Sequence, residues 1–280
     1  MSERKTVTFW YGCNAVRHGD ILHASKALLE AIDIDVRPAG GPAYCCGTAK
    51  DANLRAAEGM ATRAVENFNT LGHDVVTWCP SCHRHLGNFI EGYQQPEFNY
   101  AHITQILHGA RDRLRARLTR PIHRRVMLHE HFGFHEVAVN GLVRELLALV
   151  PGLDVVAASD SAPGHMCSAL ATVPAAFADV SRGMTALARE HKVDDVVTIF
   201  HSCQRMLCAL EGTEPFRVVN YVNILAESTG LDLIDDYKTW KLAESEEALV
   251  AQVGPERIAR IGETVFRSEV MPELRKRPVK

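Results

Sequence analysis

The chain opens on Thr6-Val7-Thr8-Phe9-Trp10-Tyr11, a β-branched and aromatic run that predicts a strand. Residues 51–71 then carry Leu54, Ala57, Ala61, Val65 and Phe68 at helical spacing, with Gly72 placed to end a helix. Asp74 to Trp78 reads as a short buried strand that runs straight into Cys79-Pro80-Ser81-Cys82. Residues 173–191 repeat the helical pattern, and Val196 to Phe200 repeats the strand. Strands alternating with helices predict a mostly parallel sheet. In such sheets, sites gather where strands end and loops begin, and the cysteines fall at those points.

The repetition extends to the letters. Asp74-Val75-Val76-Thr77 recurs as Asp195-Val196-Val197-Thr198, and Ser81-Cys82 recurs as Ser202-Cys203, both displaced by 121 positions. The same displacement carries Cys46 onto Cys167, Cys45 onto Met166 and Gly12-Cys13 onto Gly133-Phe134. Agreement at separated places predicts two copies of one α/β unit. The expected fold is α/β, with two tandem repeats, mostly parallel sheets and pseudo-twofold symmetry. The expected division is 1–118, 119–236 and a C-terminal extension, 237–280. The join between copies is Arg-rich, with seven arginines in residues 111–125, and reads as a solvated helix face and linker. In the extension, Ala243 to Val253 reads as an acidic amphipathic helix and residues 275–280 as a basic tail. The segment is either a docking arm or a frayed terminus.

Composition narrows the function. A net charge of −3 gives no global electrostatic case for nucleic acid. No run approaches the roughly 20 apolar residues needed to cross a bilayer, and the first residues lack the apolar core of a signal peptide. A cytoplasmic location, without membrane insertion, is expected. In that reducing compartment, eight cysteines are metal ligands or redox groups more often than disulfides. No glycine-rich nucleotide-binding motif occurs, so any flavin belongs on a partner.

Five of the eight cysteines lie in the first 82 residues: Cys13, Cys45, Cys46, Cys79 and Cys82. Thiolates are soft ligands, suited to iron–sulfur clusters, with zinc as the competitor. Five exceed what one tetrahedral zinc uses. The vicinal pair Cys45-Cys46 would strain at a single ion but can bridge two irons. Gly47 allows close backbone approach or a positive φ.

A lone cysteine, a Cys-Cys-Gly and a Cys-x-x-Cys in this order resemble the CCG domain. A chain built of two such halves is most similar to the B-type subunit of heterodisulfide reductase. The resemblance covers roughly residues 5–230. It implies one non-cubane [4Fe–4S] cluster on the five cysteines and an oxidoreductase that makes or breaks sulfur–sulfur bonds. It also implies a ferredoxin-like C-type subunit and a flavin-containing A-type subunit as partners. CCG subunits of glycolate or lactate oxidase-type complexes remain an alternative, as does a non-catalytic electron-transfer or scaffold subunit.

The second copy departs from the pattern. Its five ligand positions read Phe134, Met166, Cys167, Phe200 and Cys203, with Phe132 as another match for the first. Apolar residues at three of the five predict a lost cluster whose cavity is filled. This asymmetry is similar to one B-type subunit of the heterodisulfide-reductase-like complexes of sulfur oxidation. There a second B-type subunit and a lipoate-bearing carrier protein would be further partners. Cys167 and Cys203 are then relics in the core or, with His165 and His201, a zinc set of two imidazoles and two thiolates. Cys208 reads as core. His129, His131 and His135 are candidate proton donors to the cluster, or polar groups satisfied at a strand end. His83 and His85 are candidates to hydrogen-bond cluster sulfurs.

Overall fold

A computed structural model describes residues 4–48, 53–87, 96–159 and 167–276. The first sheet is built from β1 (Lys5–Gly12), β2 (Ile34–Gly40), β3 (Asp74–Thr77) and β4 (Tyr100–His102), in the order β2-β1-β3-β4. The second is built from β5 (Arg125–His129), β6 (Asp154–Ser159), β7 (Asp195–Thr198) and β8 (Arg217–Asn220), in the order β6-β5-β7-β8. Every pairing in both sheets is parallel. The chain is therefore two tandem α/β units of one topology. The division expected at residue 118 falls in the connection between the two sheets.

Helices cover each sheet on both faces, as parallel sheets require. In the first unit these are α1 (Gly19–Ala31), α2 (Leu54–Leu71), the short α3 (Pro80–His85), α4 (Ile103–Gly109) and α5 (Arg111–Arg115). In the second they are α6 (Val139–Leu147), α7 (Cys167–Leu170), α8 (Pro174–Glu190), α9 (His201–Leu207) and α10 (Tyr221–Ser228). Asn53 caps α2 by accepting the Ala56 N–H, and Gly72 closes it at φ 65°. Ala57, Ala61, Val65 and Phe68 face inward as the spacing predicts, while Leu54 is exposed.

The units meet through α1 packed on α10 and α4 packed on α6, so the partners are exchanged as a twofold relation demands. One apolar core runs across this junction, from Val7, Leu28 and Leu107 to Leu128, Val143 and Leu225. A second core, with Trp10, Val65, Phe68 and Val75, lies beneath α2.

A third core lies under the C-terminal extension. Its helices α11 (Asp236–Lys241), α12 (Glu246–Val253) and α13 (Pro255–Ile261), and the segment Glu263–Arg275, bury Tyr237, Leu249, Val253, Ile258, Phe266, Met271 and Leu274. They pack with Met127, Val196, Phe216 and Val218 of the second unit. The extension is thus neither a free docking arm nor a frayed end up to residue 276, because its apolar stripe is needed to close the second unit. The basic tail from residue 277 lies outside the described residues.

The arginine-rich join also differs from a simple solvated face. The Asp195 carboxylate is fully buried. It receives Arg217 Nε at 2.8 Å and faces Arg124 Nε at 3.2 Å. Arg120, by contrast, pairs with Asp232 in the open.

The repeat is not gap-free in space. β1 pairs with β3 through Val7↔Asp74 and Trp10↔Thr77, while β5 pairs with β7 through Val126↔Asp195 and His129↔Thr198. The displacement is 119 at the first strand and 121 at the third. An irregularity between Val126 and Met127 in the pairing with β6 absorbs part of the difference. By register, Trp10 corresponds to His129, and the same displacement carried past the strand ends sets Gly12 against His131 and Cys13 against Phe132.

Candidate metal centre

The five first-unit cysteines lie at the carboxyl ends of three strands. Cys13 follows β1, Cys45 and Cys46 follow β2, and Cys79 and Cys82 begin α3 after β3. Cys13 Sγ and Cys45 Sγ are 3.9 Å apart, and Cys46 Sγ and Cys82 Sγ are 3.7 Å apart. Cys45, Cys46 and Cys82 are buried, Cys79 is half-buried and Cys13 is exposed at the rim. No disulfide links them.

Two glycines make room for this convergence. Gly12 has φ +79°, and a Cβ there would lie 3.2 Å from Cys82 Sγ. Gly47 has φ +89°, and its Cβ would come within 2.5 Å of the Ala57 carbonyl oxygen on α2. Each position needs both the left-handed backbone and the missing side chain.

Thiols this close share protons. Hydrogen bonds from Cys45 and then Cys82 hold the Cys46 thiol far below its ordinary range, against the opposing effect of burial. Cys79 is lowered by its bond from Cys82. Cys45 and Cys82, as donors, move up. The thiolate form, which is the ligand form, is thus favoured at alternate positions before any metal enters.

Around the thiols, Cys46 Sγ lies 3.1 Å from Thr48 Oγ1, which lies 2.8 Å from His85 Nδ1. His85 therefore reaches the thiols through a hydroxyl. His83 turns the other way. Its Nδ1 meets Thr77 Oγ1 at 2.8 Å, and its ring lies against Tyr100, His102 and Phe134.

The second unit brings together a different set. His129 Nε2 lies 3.1 Å from Cys167 Sγ, and His131 Nδ1 lies 3.9 Å from Cys203 Sγ. The ligand atoms of His129, Cys167 and Cys203 all lie within 4.8 Å of one another, and all three residues are buried. Cys203 is pulled well down by a hydrogen bond from Cys167, aided by His129 and His131, while Cys167 moves up.

The expected set of His165, Cys167, His201 and Cys203 is accordingly revised. His165 and Met166 lie outside the described residues. His201 does not join the thiols through its Nδ1, which accepts the Trp78 indole N–H at 3.1 Å, and its ring lies beside His18. Its place is taken by His129 and His131, which sequence reading treated as proton donors. His135 is exposed. Phe134 and Phe200 fill space between the units, against His102 and each other, and Cys208 is buried in the core.

Residues 7–87 match the CCG family, the cysteine-rich domain.

The match begins in β1 and ends just past α3, so it spans all five first-unit cysteines. The first unit therefore carries the whole of the match to the CCG family. That domain, with the thiol and imidazole groupings described, is compatible with an iron–sulfur-binding subunit. No curated protein matches the chain. No helix among the described residues is long and apolar enough to cross a membrane.

Proposed function

We propose that the chain is the iron–sulfur subunit of a heterodisulfide-reductase-like complex. Cys13, Cys45, Cys46, Cys79 and Cys82 would hold one non-cubane [4Fe–4S] cluster. The observation that carries this reading is the pair of thiol contacts, Cys13–Cys45 and Cys46–Cys82, around the hollow left by Gly12. Two vicinal cysteines that each face a different partner suit a group with several irons better than one zinc ion. When bound, the cluster supplies one-electron transfer for making or breaking a sulfur–sulfur bond.

The chain's own residues set the conditions. Cys13, exposed at the rim, is the side from which a sulfur substrate or a redox partner approaches. Thr48 and His85 form the hydrogen-bonded path along which a proton reaches the Cys46 side. A ferredoxin-like C-type subunit and a flavin-containing A-type subunit would exchange the electrons. A second B-type subunit and a lipoate-bearing carrier would complete a sulfur-oxidising assembly in the cytoplasm.

A second reading is an electron relay without its own substrate. It is favoured by Phe132 and Phe200, which stand where ligands of a second set would be.

The test is iron, acid-labile sulfide and electron paramagnetic resonance on protein purified without oxygen. About four irons and four sulfides per chain, lost in Cys46→Ser, support the cluster. A resonance that changes when a disulfide or persulfide is added supports catalysis, and an unchanged one supports the relay. Zinc without iron after anaerobic reconstitution would rule out both readings.

A further inference from the structure

We propose that His129, His131, Cys167 and Cys203 form a mononuclear zinc site inside the second unit. The proposal is independent of the cluster reading, because it uses none of the first five cysteines.

Cys167 and Cys203 occupy the positions of Cys46 and Cys82, whose sulfurs lie 3.7 Å apart in the first unit. The second unit therefore keeps the buried thiol pair and drops the other three cysteines. Two imidazoles take their place. At Gly12 a Cβ would point to within 3.2 Å of Cys82 Sγ. The residue at that register is His131, and its Nδ1 lies 3.9 Å from Cys203 Sγ. The hollow that glycine keeps open in the first unit is filled here by a nitrogen ligand aimed at the equivalent sulfur.

The spacing of His129, Cys167 and Cys203 fits one ion, and His131, beside Cys203 alone, reaches the fourth position by a small movement of its ring. A tetrahedral zinc with bonds of about 2.3 Å to sulfur and about 2.0 Å to nitrogen sets its ligand atoms roughly 3.3–3.8 Å apart. The observed separations are 3.1 Å for His129–Cys167 and 3.9 Å for His131–Cys203, with His129, Cys167 and Cys203 mutually within 4.8 Å. A two-iron centre would spread its imidazoles and thiolates onto separate metals and further apart.

The surroundings orient the imidazoles. His129 Nδ1 lies 3.2 Å from Ser159 Oγ, which leaves Nε2 free to face the sulfurs. His131 is clamped through its backbone: its N–H donates to Asn140 Oδ1 at 2.8 Å, and its carbonyl accepts Asn140 Nδ2 at 3.1 Å. All four residues are at least 98% buried. Two imidazoles and two thiols crowded together away from water are costly unless their lone pairs are used. A zinc ion uses four of them, and on binding it displaces the two thiol protons to solvent. The ion would tie the ends of β5, α7 and α9 together, where a cluster ties the equivalent elements of the first unit.

The test is metal content of the anaerobically purified full chain, with Co²⁺ as a spectroscopic probe after zinc removal. Expected are about one zinc per chain beside the iron and thiolate-to-cobalt charge-transfer bands of a tetrahedral site. Cys46→Ser should lose iron and keep zinc. Cys167→Ser and His129→Gln should lose zinc and keep iron, with circular dichroism reporting that they remain folded. Wild-type protein with less than about a tenth of a zinc and no charge-transfer band on adding Co²⁺ would overturn the site, whatever the variants do. So would zinc that departs with Cys46→Ser but not with Cys167→Ser. About eight irons per chain would overturn it too, by giving Cys167 and Cys203 to a second cluster.

Discussion

The indole N–H of Trp78 donates to Nδ1 of His201 across the junction of the two units, at 3.1 Å. Trp78 immediately precedes Cys79, and His201 opens α9 two residues before Cys203. One hydrogen bond therefore ties the loop carrying the first unit's last thiols to the helix carrying the second unit's. Tyr221 stacks on the same indole, with ring centroids 6.1 Å apart and planes 6° from parallel.

Removing this bond should weaken both units together. Both partners are fully buried, so His201→Ala leaves an unpaired N–H and should cost about 1–3 kcal/mol before any cavity is counted. A double-mutant cycle with Trp78→Phe and His201→Leu, read by denaturant unfolding, should give a coupling of at least about 0.5 kcal/mol. Strictly additive losses would show that the bond joins nothing.

Glycine substitutions should separate folding from loading. Gly47→Ala places a Cβ 2.5 Å from the Ala57 carbonyl at φ +89°. It should destabilise the chain by about 1–3 kcal/mol, since backbone on both sides must shift. Gly12→Ala meets only the Cys82 sulfur, at 3.2 Å, and the Cys79 Cβ, at 3.4 Å. It should lower iron uptake more than it lowers the melting temperature. Equal iron in Gly12→Ala and wild type would mean that the hollow is not used.

The buried carboxylate of Asp195 should be among the costliest single positions outside the thiols. It answers Arg124 and Arg217, and its own side chain is inaccessible. Asp195→Ala leaves Arg124, only 16% exposed, without that counter-charge. The expected loss is about 3 kcal/mol, at the low end of buried pairs because Arg217 remains half exposed. Thermal unfolding that moves by less than a degree or two would contradict it.

Acidity should act on the junction with two opposed signs. Burial depresses His18, His102 and His201 from an ordinary 6.5 to about 3. Between those values the unfolded chain takes up protons that the folded one refuses, so stability falls as pH drops, by up to about 1.4 kcal/mol per unit for each histidine. Asp20 goes the other way. Burial, and then the Asp235 charge, raise its carboxyl from 3.8 to about 7. Its contribution is present at low pH and lost as pH climbs through that window. Asp20→Asn should therefore stabilise the protein relative to wild type more at pH 8 than at pH 4, as measured by chemical denaturation. A difference independent of pH would show that Asp20 does not titrate.

Much of this was legible in the letters. The Asp-Val-Val-Thr strings became β3 and β7 without adjustment, and Asn53 and Gly72 bound the helix that the spacing predicted. The five cysteines fell at strand ends because parallel sheets place their loops there. The slip from 121 to 119 was not legible. It arises only in part in a strand irregularity, and the matching strings lie on β3 and β7, away from that irregularity. A shift of two residues was enough to hide that His131 stands where Gly12 does. The role of the last 40 residues was also hidden. Their charges announce a solvated surface, while the few apolar positions that matter, such as Leu249 and Phe266, are scattered over several short helices.

The shared core between α1 and α10 has a consequence for inheritance. Leu28 and Leu225 have no accessible surface to spare, since each is covered by elements contributed by both halves of the chain. Neither half is a portable module that could be excised and still shed water from its inner face. The half with cysteines at only two of the five matched positions cannot be discarded, because it is the other half's wall. Its residues were free to change chemistry as long as they preserved volume. Each unit is thus a permanent, closely packed partner of the other, and the ligand positions of the second can carry different chemistry without opening the shared core.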